Sequence, residues 1–322
     1  VPQFINTRQL ARLGTLRQLE IFMKVAELGS MAQAAEQLHL SQPSVSIQVR
    51  KLAEAVGLPL YEIIGRRLQL TEAGKRVVVA GREILDTFSR LDGSLNDLKG
   101  LQTGCLRLAV DASAKYFLPQ LLGPFLKRYP GVELEFVEGE RSFLVDRIGQ
   151  NLDDLYFFNH VPVNLDITHY PFLPNPLVVV AREDHRLADS GQYAWGDLVG
   201  ERIIIPAEGS GSRLAIDEFM STHVLKVDRA LAVASSEAIK LSVMADMGVG
   251  ILSAYALVNA RDDGLEQLRV TGFPIMTQWH VIHLRQKQLS VVARSFLEFV
   301  LKEAKAHLPM NKIEETVRKA AR

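Results

Sequence analysis

"SMAQAAEQLHLSQPSVSIQVRKLAEAVG", residues Ser30 to Gly57, decides how this chain folds at its start. Ala32, Ala34, Ala35 and Leu38 recur at helical spacing and predict a short helix of small residues, with Ser30 as its cap. His39 and Leu40 make a turn. Ser41 caps a second helix, where Pro43 is tolerated because first-turn amides have no intrahelical acceptor. On that helix Val45, Val49, Leu52 and Val56 face inward, and Gln42, Ser44, Gln48, Arg50 and Lys51 stay outside. Upstream, Leu16, Leu19, Phe22, Val25 and Ala26 predict a helix over residues 16–28, ended by Gly29.

Two helices joined by a tight turn, the second with a polar face, make a helix-turn-helix. Its second helix enters the major groove of DNA and presents its first turns to base edges. Gln and Arg suit bidentate contacts to adenine and guanine, and Ser can contact several bases. The candidate DNA contacts are Ser30, Gln33, Gln42, Pro43, Ser44, Ser46, Gln48, Arg50 and Lys51. A merely solvated face is the alternative, and the next stretch weighs against it. "LPLYEIIGRRLQLTEAGKR" (58–76) alternates apolar and polar residues around Gly65-Arg66, which predicts a hairpin with a basic tip. A helix-turn-helix followed by such a hairpin is a winged helix. Arg66, Arg67, Lys75 and Arg76 would meet phosphates or the minor groove.

The charge distribution agrees with this. The chain has 37 basic and 37 acidic residues, yet residues 1–76 hold ten Lys/Arg against six Glu, a surplus of four. No run of about eighteen apolar residues predicts a membrane span. The start shows no long apolar segment of the kind a signal peptide needs. The lone Cys105 excludes an intramolecular disulfide and a cysteine-based zinc cluster. A reducing, cytoplasmic setting is expected.

Thr71 can cap a long helix reaching about Gly100. Val77, Ile84, Leu91 and Leu98 fall seven apart, and so do Gly81, Phe88 and Leu95 between them. That is a heptad seam, which favours pairing with an identical helix, Gly81 allowing close approach. A dimer places two recognition helices on a two-fold-related operator.

From Leu106 strands alternate with helices. "LRLAV" (106–110), "VELEFVE" (132–138), "LYFF" (155–158), "LVVVA" (177–181), "RIIIP" (202–206), "ALAVA" (230–234), "VGILS" (249–253) and "WHVIHL" (279–284) read as strands. Helices are expected at 114–130 and near 142–151, 212–222, 236–247 and 290–305. The pattern predicts an α/β domain with a largely parallel sheet, long enough for two lobes and a cleft. The loop "PAEGSGSR" (206–213) follows a strand and opens a helix. Helix starts favour anions, and Glu208, Gly209, Ser210, Gly211, Ser212 and Arg213 lie in this one. A matching turn, "VDASAKYF" (110–117), brings Ser113 and Lys115. Together they predict a site for a small anionic metabolite. Glu208 and Glu237 could pair as acid and base, but no catalytic or metal-binding motif accompanies them. His39, His185, His280 and His283 are scattered. A regulator is therefore preferred to a phosphate-ester enzyme, and a free-standing solute-binding protein leaves the first hundred residues unexplained.

Residues "AAEQLHLSQPSVSIQVRKLAEAVGLPLYEIIGRRLQLTEAG" carry a resemblance to the LysR-type transcriptional regulators, which extends from about Leu16 to residue 305. The resemblance implies a winged helix-turn-helix over 14–70, a linker helix at 71–100 that dimerises through Val77, Ile84, Phe88, Leu91, Leu95 and Leu98, and a two-lobed effector domain of periplasmic-binding-protein type over 104–307. It further implies tetramers, operator DNA and RNA polymerase as partners, and no cofactor beyond a small effector. "AKYFLPQLLGPFLKRYPGVELE", "NLDDLYFF" and "NPLVVVA" look like the subgroup controlling carbon dioxide fixation and inorganic-carbon uptake genes, the CbbR and CmpR group. That group responds to metabolites such as ribulose bisphosphate and phosphoglycolate. Asn159 and His160 stand where the family more often has a Gly-containing pair, and join the candidate effector residues. Met31 replaces a usual aromatic and Ser41 a common Thr.

Overall fold

Thr15 opens the first helix with a reciprocal cap. Its Oγ1 accepts from the Gln18 amide at 3.2 Å, and Gln18 Oε1 accepts from the Thr15 amide at 2.9 Å. The computed structural model describes residues 14–64, 67–98, 103–188, 191–227, 229–258 and 264–321. The chain divides into two units, the first running to Leu95 and including Gln150–Leu152, the second made of Asn96–Gly149 and the chain from Asp153 onward.

In the first unit, helices α1 (Leu16–Leu28), α2 (Met31–Gln37) and α3 (Gln42–Val56) precede strands β1 (Tyr61–Ile64) and β2 (Arg67–Leu70) and the long helix α4 (Glu72–Leu98). Gly29 and Gly57 end α1 and α3 in the left-handed region, at φ 60° and 78°. Ser30 Oγ caps α2 and Ser41 Oγ caps α3, as the sequence predicts. Ile21, Phe22, Val25, Val45, Val49 and Leu52 form the core. β1 and β2 pair antiparallel. Thr71 Oγ1 accepts from the Gly74 amide and donates to the Pro59 carbonyl, fixing α4 to the end of the α3–β1 connection.

The start of α4 belongs to this core. Val78 is buried and Val77 packs beside it. A Cβ on Gly81 would lie 2.8 Å from Leu19 and 3.1 Å from Met23 Sδ. Gly81 therefore admits α1 of its own domain, not a partner helix, and Val77 is drawn inward with it. This corrects the expected seam at its first two positions, and the DNA-binding domain extends past residue 70.

In the second unit, strand β3 (Thr103–Asp111) leads into a 3-10 turn (Ala112–Tyr116), helix α5 (Leu118–Arg128), strand β4 (Gly131–Gly139), helix α6 (Arg141–Gly149) and strand β5 (Leu155–Phe158). The helix expected over 114–130 is broken at Phe117, because Pro119 lacks an amide hydrogen and suits a first helical turn. Strand β6 (Ile167–Arg182) crosses to the second lobe: β7 (Gln192–Tyr193), β8 (Ile203–Pro206), α7 (Gly211–Thr222), β9 (Ala230–Val233), α8 (Ser236–Met244), β10 (Val249–Ser253), α9 (Tyr255–Val258) and β11 (Leu265–Val270). Strand β12 (Ile275–Leu284) returns, and α10 (Val291–His307) and α11 (Met310–Ala321) close the chain.

The sheet order is β4-β3-β5-β12-β6-β10-β8-β9. Each lobe has a parallel triplet, β4-β3-β5 and β10-β8-β9. The long strands β6 and β12 run antiparallel to each other and to the triplets, so the sheet is mixed rather than largely parallel. Buried Asn175 in β6 ties this crossing together: its Nδ2 donates to Thr277 Oγ1, and its Oδ1 accepts from Ser253 Oγ. Phe117 packs edge-on to Trp279 with ring centroids 4.9 Å apart. Helix α11 lies beyond the expected boundary at residue 307 and packs on β11, so this domain runs to Ala321.

Candidate functional site

The first unit carries a polar surface on α3. Gln42, Pro43, Ser44, Ser46, Ile47, Arg50 and Lys51 are exposed while Val45, Val49 and Leu52 are buried behind them. Gln48 differs from the expectation: it is half-buried, and its Oε1 accepts from Gln18 Nε2 at 3.1 Å. Ser30 Oγ is engaged as the α2 cap, and Gln33 is exposed. Arg50 pairs only loosely with Glu54, at 3.8 Å on an exposed face, so it is free to exchange that partner for another. Ile47, 42% exposed, was not singled out from sequence; it sits among the polar residues and could contact a thymine methyl. Arg66 and the Arg67 side chain lie outside the described residues.

On α4, Ile84, Phe88, Leu91 and Leu95 are all exposed. Their spacing of four, three and four residues forms one apolar stripe. The Leu98 side chain lies outside the described residues.

The second unit holds a cavity of about 240 Å³ between its lobes. Ser113, Lys115, Glu208, Gly209, Ser210 and Ser212 line it, as expected, together with Asp111, Arg141, Ser142, Ser235 and Ser236. Three α-helices start there. Arg141 opens α6, Ser210 caps α7 through the Arg213 amide, and Ser235 caps α8 through the Ala238 amide. Unpaired first-turn amides and the helix dipoles make such a convergence attractive to an anion. Lys115 and Arg141 add positive charge.

Arg141 was missed in the sequence because it belongs to no recognisable loop motif. Its guanidinium donates to the carbonyls of His160 and Val161 and stands over the Phe158 ring. Burial pulls its pKa below the usual value, while Asp111 opposes that shift. Buried Asp111 accepts from the Ser113 amide at 2.9 Å, and burial raises its carboxyl above the usual range.

Five expected effector residues do not line the cavity. Arg213 turns along its own helix to Asp217, with Nε 2.8 and 3.0 Å from the two carboxylate oxygens. Glu237 accepts from Tyr116 Oη at 3.2 Å, bridging the lobes. His160 offers its carbonyl to Arg141, and burial followed by the Arg141 charge lowers its imidazole pKa. Gly211 and Asn159 pack against each other behind Ser212. No group of three or more His, Cys, Asp or Glu able to hold a metal exists among the described residues. No described helix is long and apolar enough to cross a membrane.

Comparison with known proteins agrees with both halves. Residues 16–75 match the family model for bacterial regulatory helix-turn-helix proteins of the lysR family, and residues 99–305 match the LysR substrate binding domain. The chain is 44% identical over 287 residues to the HTH-type transcriptional activator CmpR of Synechocystis, covering 89% of this chain and 94% of that protein. It is 38% identical over 290 residues to a RuBisCO operon transcriptional regulator of Acidithiobacillus ferrooxidans, covering 90% and 94%. Among solved structures, the Synechocystis CcmR regulatory domain in complex with 2-PG is similar at a TM-score of 0.59 and 39% identity. That match covers 62% of this chain and 97% of the other.

Proposed function

The chain belongs to the LysR family of transcriptional regulators, and from that premise we propose that it controls carbon-fixation or inorganic-carbon uptake genes in response to a small phosphorylated or carboxylated anion. Its relatives are regulators of transcription, not enzymes. The observation that carries the effector reading is the convergence of three helix starts, Lys115 and Arg141 on one interlobe cavity. A phosphate or carboxylate there meets helix-start amides and serine hydroxyls, with both cations, Lys115 and Arg141, supplied by the first lobe.

The winged helix holds operator DNA through the α3 face. The exposed α4 stripe pairs two chains, and two such dimers assemble into a tetramer that engages RNA polymerase. The protein works in the cytoplasm and needs no cofactor beyond its effector. 2-Phosphoglycolate is the first candidate, because the similar CcmR domain was solved with 2-PG. Ribulose bisphosphate is the second. The ligand acts as a switch only if it binds one lobe arrangement more tightly than the other.

Isothermal calorimetry with 2-phosphoglycolate tests this reading. Wild type should bind, and Arg141→Ala should weaken binding about ten-fold or more, since hydrogen bonds to charged groups contribute ~1.5–3 kcal/mol. Binding unaffected by Arg141→Ala would move the site elsewhere.

A further inference from the structure

Asn159 follows β5 in the first lobe, and Ser212 lies in the first turn of α7 in the second. Asn159 Nδ2 donates to Ser212 Oγ at 3.0 Å, so this hydrogen bond joins the lobes. Both residues are buried, at 5% and 8% exposure. Ser212 lines the cavity and Asn159 does not. Asn159 thus stands behind the serine, on the side away from a ligand.

The orientation of the amide follows from its other neighbour. A Cβ on Gly211 would lie 1.8 Å from Asn159 Oδ1, so any side chain there would displace the Asn159 amide. The glycine hydrogen in that place points at Oδ1, a weak C–H···O contact. Oδ1 has no N–H or O–H partner among the described residues. Turning the amide over would aim an NH2 group at that C–H and leave a buried donor unsatisfied, the costlier arrangement. The amide nitrogen therefore belongs on Ser212.

A serine hydroxyl has one proton and two lone pairs. The Asn159 amide takes a lone pair from behind, and the proton is left to donate elsewhere. We propose that Asn159 is a positioning residue that turns Ser212 into a donor aimed into the cleft, selecting an acceptor oxygen of phosphate or carboxylate at that spot. The proposal rests on the reading of the cleft as an anion site. It also links occupancy to lobe position. An oxyanion accepting from Ser212 polarises the hydroxyl and strengthens the bond from Asn159. The ligand thereby favours the arrangement in which the two lobes are joined.

A double-mutant cycle on the full chain, read by calorimetry with 2-phosphoglycolate, tests this. Asn159→Leu should weaken binding roughly ten-fold, the loss expected when one directed hydrogen bond is released. In the Ser212→Ala background the same change should add almost nothing, because the hydroxyl it orients is gone. In a Lys115→Ala background it should keep its full effect, which a general loosening of the cleft would not distinguish. Should Asn159→Leu fail to fold, Asn159→Ala carries the same cycle. If wild type binds and the Asn159 and Ser212 effects simply multiply, the positioning role is overturned while the anion cleft stands. If wild type binds neither 2-phosphoglycolate nor ribulose bisphosphate, the cleft reading falls and takes the proposal with it.

Discussion

Gln18 of α1 donates from Nε2 to Gln48 Oε1 of α3, at 3.1 Å across the winged-helix core edge. The bond fixes the rotamer of the one polar residue on α3 that is only half exposed. That bond uses one lone pair of Gln48 Oε1 and none of its amide hydrogens. Gln48→Ala should cost about 1–3 kcal/mol at a single base position. Gln18→Ala should relax discrimination at that same position with little effect on non-specific affinity. Binding selections on randomised operators would check both; an unchanged base preference in each variant would remove Gln48 from readout.

Arg66 falls between β1 and β2 in sequence and is expected to meet phosphate. Arg66→Ala should weaken binding to specific and random DNA alike. It should also reduce the dependence of log affinity on log salt by about one unit for each phosphate that is no longer neutralised. Fluorescence anisotropy at several salt concentrations gives that slope. A change in preferred bases instead would make Arg66 a reader.

Ile84, Phe88, Leu91 and Leu95 leave the DNA-binding core and expose one apolar stripe on α4. Replacing Leu91 and Leu95 with Lys places like charges in the seam of a pair. Analytical ultracentrifugation of the full chain should show the assembly mass fall by half. An unchanged assembly would mean that α4 is not the pairing surface.

His280, near the crossing of the lobes, lies 3.3 Å from His169 between Nδ1 atoms. Burial, then His169 and His160, lowers its pKa from 6.5 to about 4. The unfolded chain therefore takes up the proton first as pH falls. The stability contributed by neutral His280 is complete above 6.5 and is lost as pH falls toward 4. Urea midpoints at pH 7.5 and 4.5 should fall less in His280→Gln than in wild type. Equal falls would contradict this.

Much of the winged helix was legible because its signals are local. Ser30 and Ser41 cap the helices they precede, and Val45, Val49 and Leu52 repeat at helical spacing. Gly81 misled because a heptad position cannot say which helix approaches it, and Leu19 of the same chain does. Arg213 misled for a different reason: Asp217, four residues on, offers a nearer carboxylate than any ligand. Arg141 stayed hidden because its value arises only when α6 is brought opposite Ser210 and Ser235. The long strand β6 was read short because Pro171, Pro174 and Pro176 interrupt it. Pro171 and Pro174 are tolerated because β6 pairs there with β12 alone, and Pro176 takes part on its other side only through its carbonyl, which accepts from the Ala254 amide at 2.9 Å.

On the proposed function, one chain reads DNA with α3 and changes that reading when an anion fills the interlobe cavity. Footprinting on the DNA upstream of its own gene, with and without 2-phosphoglycolate, tests it most directly. A two-fold-related protected site should appear without ligand, and its extent or spacing should change when ligand is added, with Arg141→Ala retaining the first pattern and losing the second. A sequence-specific footprint that no anion alters would contradict the account.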